Sequence, residues 1–206
     1  MEPFHKTGPI IESLQLWYAT FQGSRDAFNE HFPKYAGFQF ECTCDQEVQD
    51  HHVYFGIVRD DYNVLKFALY ILPDTYDKEG WIEGADIHKA IAETELPDLK
   101  SPIDPEIAVR RIENWKKNGR DWMVRQTSIF QAIFIPKTNF SSGINRFTAY
   151  FALKDSNEFD LVLYKDDDQA IHNLYIYYDT VRLIPPFNPY QHLLNQVARS
   201  EKVMTT

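Results

Sequence analysis

Apolar positions first recur with a helical period. Over residues 9–21, Ile10, Leu14, Trp17 and Phe21 fall three or four apart, which predicts a helix with one buried face. Gly23 and Ser24 interrupt the period, and a second short helix is expected over residues 25–32, stopped by Pro33. From Phe38 the period drops to two. Phe38, Phe40, Cys42 and Cys44 share one face and Gln39, Glu41 and Thr43 the other, as in a half-buried strand. Val53, Phe55 and Ile57 make the apolar face of the next strand, residues 53–59. Asp60, Asp61 and Asn63 then supply turn chemistry before the apolar run 64–72.

The middle of the chain is mixed and polar, with a helical spacing over residues 85–94. Asp104, Pro105 and Glu106 then open the clearest helix: an acceptor at the cap, a proline where no amide donor is needed, and a carboxylate at the positive end of the dipole. Ala108, Ile112 and Trp115 form its stripe, and Asn118 with Gly119 is expected to end it. Strands are predicted over 129–135, 147–153, 159–165 and 174–183, and the pair Pro185 and Pro186 closes the sheet. Asn188 caps a last helix beginning at Pro189, with Tyr190, Leu193, Leu194 and Val197 on one face, and residues 200–206 are expected to fray.

This order predicts an α+β fold, mainly antiparallel sheet with flanking helices. It divides into two similar halves, helix plus hairpin over residues 1–100 and helix plus sheet over 101–206, either separate or joined in one compact domain. YFGIVRDDYNVLKFALY at 54–70 and YFALKDSNEFDLVLY at 150–164 align when two residues are dropped at the turn. Internal duplication and convergence of hairpins both account for the likeness.

Over residues 103–187 the opening helix IDPEIAVRRIENW, the segment IFQAIFIP, the strands FTAYFALK and FDLVLY, and the closing LIPPF follow one another. In that order they resemble a family of small uncharacterised bacteroidete proteins. The resemblance implies the fold class and no activity. Cysteines that flank the closing prolines in that family are replaced here by Leu183, Ile184 and Phe187, so any role resting on them would be missing.

At 206 residues and 44% apolar composition the chain can bury about 70% of its unfolded surface. Its net charge of −9 repels phosphate backbones and anionic bilayers, so neither nucleic acid nor membrane is an expected partner. The opening MEPFHKTGPII lacks a basic and then apolar leader, and no run reaches the roughly 20 apolar residues of a span. With two cysteines, that points to the cytoplasm.

Four clusters carry candidate chemistry. If residues 45–50 turned one strand onto the next, Cys42, Cys44 and His51 would share a face as metal ligands, with His52 on the other. Three local ligands fall short of structural zinc, and Phe38, Phe40, Phe55 and Ile57 on that face favour core packing of both thiols. Second, the basic stretch 110–125 interleaves Trp115 and Trp122 with Lys and Arg, suited either to an acidic partner or to a solvated helix face. Third, Tyr150, Tyr164, Tyr175 and Tyr177 would form an aromatic contact surface or a second packing layer. Fourth, the aspartates 166–168 lack the alternation and glycine of a calcium loop and read as a hairpin turn. No G-x-S-x-G, H-E-x-x-H, P-loop or G-x-G-x-x-G motif occurs.

These observations lead to a non-catalytic cytoplasmic binding protein without a cofactor. Two alternatives stand beside it. One is a metal-assisted hydrolase using His51 or His52 with nearby carboxylates; the other is a self-associating structural protein that forms a homo-oligomer.

Overall fold

The stripes of the first and third helices and the alternation from Phe38 onward form where their periods place them, in a computed structural model that describes residues 8–23, 25–44, 49–77, 87–96, 105–126, 132–140, 142–165, 177–178 and 182–184. Helix α1 runs Gly8–Gly23 and α2 Arg25–His31, followed by a 3-10 turn, Phe32–Lys34. The first strands are β1 Gly37–Cys44, β2 His51–Arg59, β3 Leu65–Pro73 and β4 His88–Ile91. Helix α3, Pro105–Arg125, precedes β5 Ala132–Ile135, β6 Gly143–Leu153, β7 Phe159–Lys165, β8 Tyr177–Tyr178 and β9 Arg182–Ile184. The class is α+β, and every described pairing between these strands is antiparallel.

Among the described residues two sheets result, a 4-stranded one in the order β1-β6-β7-β8 and a 5-stranded one in the order β4-β3-β2-β5-β9. Each draws on the other half of the chain, the first for β1 and the second for β5 and β9. β1 leaves its own hairpin to pair with β6, and β5 pairs with β2. The two sheets touch where Gly37 bridges Glu93.

The hairpins β2–β3 and β6–β7 close with the same turn. Asn63 donates its amide to Asp60 and Asn157 to Lys154, and the two asparagines adopt φ of 62° and 66°. This left-handed conformation is one that asparagine tolerates better than most residues. Aligned on those turns, Leu65 corresponds to Phe159, Tyr70 to Tyr164, Tyr54 to Thr148 and His51 to Asn145. His51 and Asn145 also bond alike, His51 Nδ1 to the carbonyl of Gln49 and Asn145 Nδ2 to that of Gly143. Dropping two residues at the turn, as the sequence alignment did to match Tyr54 with Tyr150, breaks this register. The helices correspond as well, since Ile10, Leu14 and Trp17 have the spacing of Ala108, Ile112 and Trp115.

Leu14 packs with Tyr54 and Tyr70 on one face of the second sheet, and Ile112 with Tyr150 and Val162 on one face of the first. The tryptophan that follows in each helix turns into the central core, which both sheets share. There Trp17 stacks on Phe55 with centroids 5.1 Å apart, and Trp115 meets Phe151 edge-on at 5.8 Å. Burial of such rings supplies the bulk of the driving force for folding.

Several expectations are corrected. No β1–β2 hairpin forms, so Cys42 lies opposite Asn145 and Cys44 opposite Gly143 rather than opposite the histidines. Adjacent apolar strands permit pairing without requiring it, and here β6 pairs with β1 along its whole length. Within 85–94 the chain forms β4, because Ala90 and Ala92 are drawn into the core beside β3. Helix α3 continues past Asn118 and Gly119. The missing side chain of Gly119 makes room for the Trp115 ring, which would lie 3.1 Å from a Cβ there. The described residues of the stretch 174–183 fall in two short strands of different sheets, in place of the one expected. The helix expected from Pro189, the proline pair and the aspartates 166–168 lie outside the described residues.

Candidate functional site

The residues singled out from sequence are mostly interior. Trp115 and Trp122 are 1% and 7% exposed, and their Nε1 groups donate to the carbonyls of Tyr35 at 2.8 Å and Asn157 at 3.0 Å. Burial in the central core hides both rings, so the basic helix does not present its tryptophans. Tyr150 is buried against α3, and the partly buried Tyr164 packs at the edge of the same cluster. Tyr175 lies outside the described residues, and of Tyr177 only the backbone, in β8, is described. Cys42 is buried in the central core. Among the described residues no three His, Cys, Asp or Glu side chains converge as a metal site.

The adjacent histidines point to opposite faces of β2, as alternation requires. His51 stacks on Phe140 at 4.1 Å. His52, 2% exposed, donates from Nδ1 to Asp77 at 3.0 Å, and its Nε2 lies 3.4 Å from Asp74. Tyr54 donates its hydroxyl to the same Asp77 oxygen. Burial first, and then the charge and hydrogen bond of Asp77, hold the Tyr54 hydroxyl well above its ordinary range. Asp77 itself is 1% exposed. With a carboxylate facing each imidazole nitrogen, this cluster pins the turn after β3 to β2. The hydrolase expectation named His51 or His52 with nearby carboxylates; of the two, His52 meets the buried Asp77 and the partly exposed Asp74, whereas His51 lies on Phe140.

An open site exists elsewhere. Between α1, α2 and the β2–β3 hairpin lies a hollow of about 680 Å3. Leu16 and Thr20 project from α1, Phe28 comes from α2, and Ile57, Leu65 and Phe67 come from the hairpin. Phe67 sits beneath Tyr35, ring centroids 4.9 Å apart. Leu65 and Val64 are 42% and 50% exposed there, apolar side chains left uncovered beside a hydrophobic floor. Lys34, Arg59 and Lys66 stand among this lining. A shallower groove of about 580 Å3 shares Tyr35, Arg59, Lys66 and Thr94, and continues past Glu93 and Glu95.

The corresponding place beside β6–β7 is nearly full. Asn114, Asn118 and Asp155 line a polar recess of about 250 Å3. Trp122 lies over Phe159, centroids 5.6 Å apart, where Leu65 is left bare in the other hairpin. Sequence reasoning missed the hollow because it depends on where α1 stops relative to a distant turn. The one signal was the shared spacing before Trp17 and Trp115, followed by Gly23 in one helix and by Trp122 in the other.

No helix among the described residues is long and apolar enough to cross a membrane. No protein-family model, curated protein or solved structure matches the chain.

Proposed function

We propose that the protein acts by binding, without catalysis of its own, and that the hollow beside the β2–β3 hairpin is its ligand site. The observation that carries this reading is the open, apolar hollow of about 680 Å3. Its size and lining match those of small-molecule sites, about 300–1,000 Å3 and mostly apolar. Only two cysteines in 206 residues suit a reducing compartment, so the cytoplasm is the proposed location. The shared turns, helix spacings and strand order support a further reading, that the two halves descend from one duplicated unit.

Thr20 lines the hollow from α1 outside the central core, so Thr20→Trp would fill the space without disturbing that core. Nile red, a neutral polarity-sensitive dye, should brighten on the wild-type protein with one-site stoichiometry and stay dark on Thr20→Trp of equal urea stability. Dye binding untouched by the substitution, or no binding to either protein, would remove the proposal.

A further inference from the structure

Resting on that reading, we infer that the ligand is an amphiphilic anion, a monocarboxylate carrying an apolar tail. The lining sorts into two chemistries. Leu16, Phe28, Ile57 and Phe67 form an apolar floor, while Lys34, Arg59 and Lys66 are the charged groups of the same hollow. Among the described residues of this lining no carboxylate accompanies them. In a chain of net charge −9, three cations converging from three separate elements form a local field of opposite sign.

The nearest acceptors hold two of these cations only loosely. Arg59 Nη1 donates to the carbonyl of Asn63 at 3.3 Å, and Lys66 Nζ stands 3.9 Å from Asp60. Asp60 is itself engaged by the turn, accepting from the amides of Tyr62 at 3.0 Å and Val64 at 2.8 Å. A guanidinium has five donors in a planar fork that matches a carboxylate, and one contact to Asn63 leaves most of them for a ligand. The head group has its place set from the other side too. Beyond Arg59 and Lys66 the adjoining groove sets Asp60, Glu93 and Glu95 against Lys89 alone, so a carboxylate is held best at the cations of the hollow while its tail lies on Phe28 and Phe67.

The test is a titration of Nile red-loaded protein with dodecanoate, dodecanol and dodecyltrimethylammonium below their micelle concentrations. Wild type, Thr20→Trp and the double variant Arg59→Ala/Lys66→Ala are compared, with circular dichroism as the folding control. Dodecanoate should displace the dye at least about tenfold more tightly than dodecanol, and the cation should be weakest. In the double variant the advantage of the carboxylate over dodecanol should fall below about threefold. Equal affinity of dodecanoate and dodecanol, or a carboxylate preference that survives the double substitution, would overturn the assignment of ligand class alone. Failure of the dye to bind would overturn the site itself.

Discussion

The hairpins β2–β3 and β6–β7 end in the same turn, yet one stands beside an open hollow and the other beside a tryptophan. The difference comes from the helices. α1 stops at Gly23 and the chain departs into α2, whereas α3 runs on to Arg125 and carries Trp122 onto Phe159. Leu65 is therefore 42% exposed and its counterpart Phe159 only 3%. A ligand-sized space can thus arise from the length of one helix, with sheet and turn unchanged. The same comparison explains the charges, because Lys66 borders the hollow while Asp160, at the matching position, is buried against Arg111 at 2.8 Å.

The comparison can be broken most forcefully at Trp122. Trp122→Ala should uncover Phe159 and cost about 3–5 kcal/mol in urea denaturation, as expected for a large buried ring. A loss under about 1 kcal/mol would mean that the second hairpin does not need its cover. A finer contrast lies between the paired tryptophans. Trp115 Nε1 bonds the carbonyl of Tyr35, whereas the buried Trp17 Nε1 has no acceptor among the described residues. Trp115→Phe should therefore destabilise more than Trp17→Phe by about 1–3 kcal/mol, since only the former strands a partner. Equal losses would show that the bond contributes nothing.

The smallest effect concerns pH. Tyr54 has the non-titrating Thr148 as its counterpart, so its contribution belongs to one half only. Its hydroxyl is held well above the ordinary 10.0, so the unfolded chain releases this proton at lower pH than the folded one. The contribution is fully present below pH 10 and is lost as pH rises through the folded value, at about 1.4 kcal/mol per pH unit. Tyr54→Phe should flatten the alkaline fall in stability by roughly 1 kcal/mol per unit. An unchanged slope would place that titration elsewhere.

Local pattern made most of the elements legible. Alternation from Phe38 gave β1 and put Cys42 inward, and the stripes of α1 and α3 gave their buried faces. What stayed hidden was set by partners distant in sequence. Nothing near Cys44 says that β1 pairs with β6, and Gly119 reads as a helix end until the Trp115 ring is seen to occupy its missing side chain. The spacing over 85–94 lost to the pull of β3 on Ala90 and Ala92. The hollow lay deepest, since its walls come from α1, α2 and two strands whose residues look like ordinary core in the linear chain.

The traded strands carry a consequence for how the molecule is partitioned. Because β1 lies in the sheet of the later hairpin and β5 in that of the earlier one, neither segment owns a finished ladder. The midpoint of the polypeptide is a landmark along the thread rather than a seam in the solid. Separating the halves would mean unzipping both, as with clasped hands.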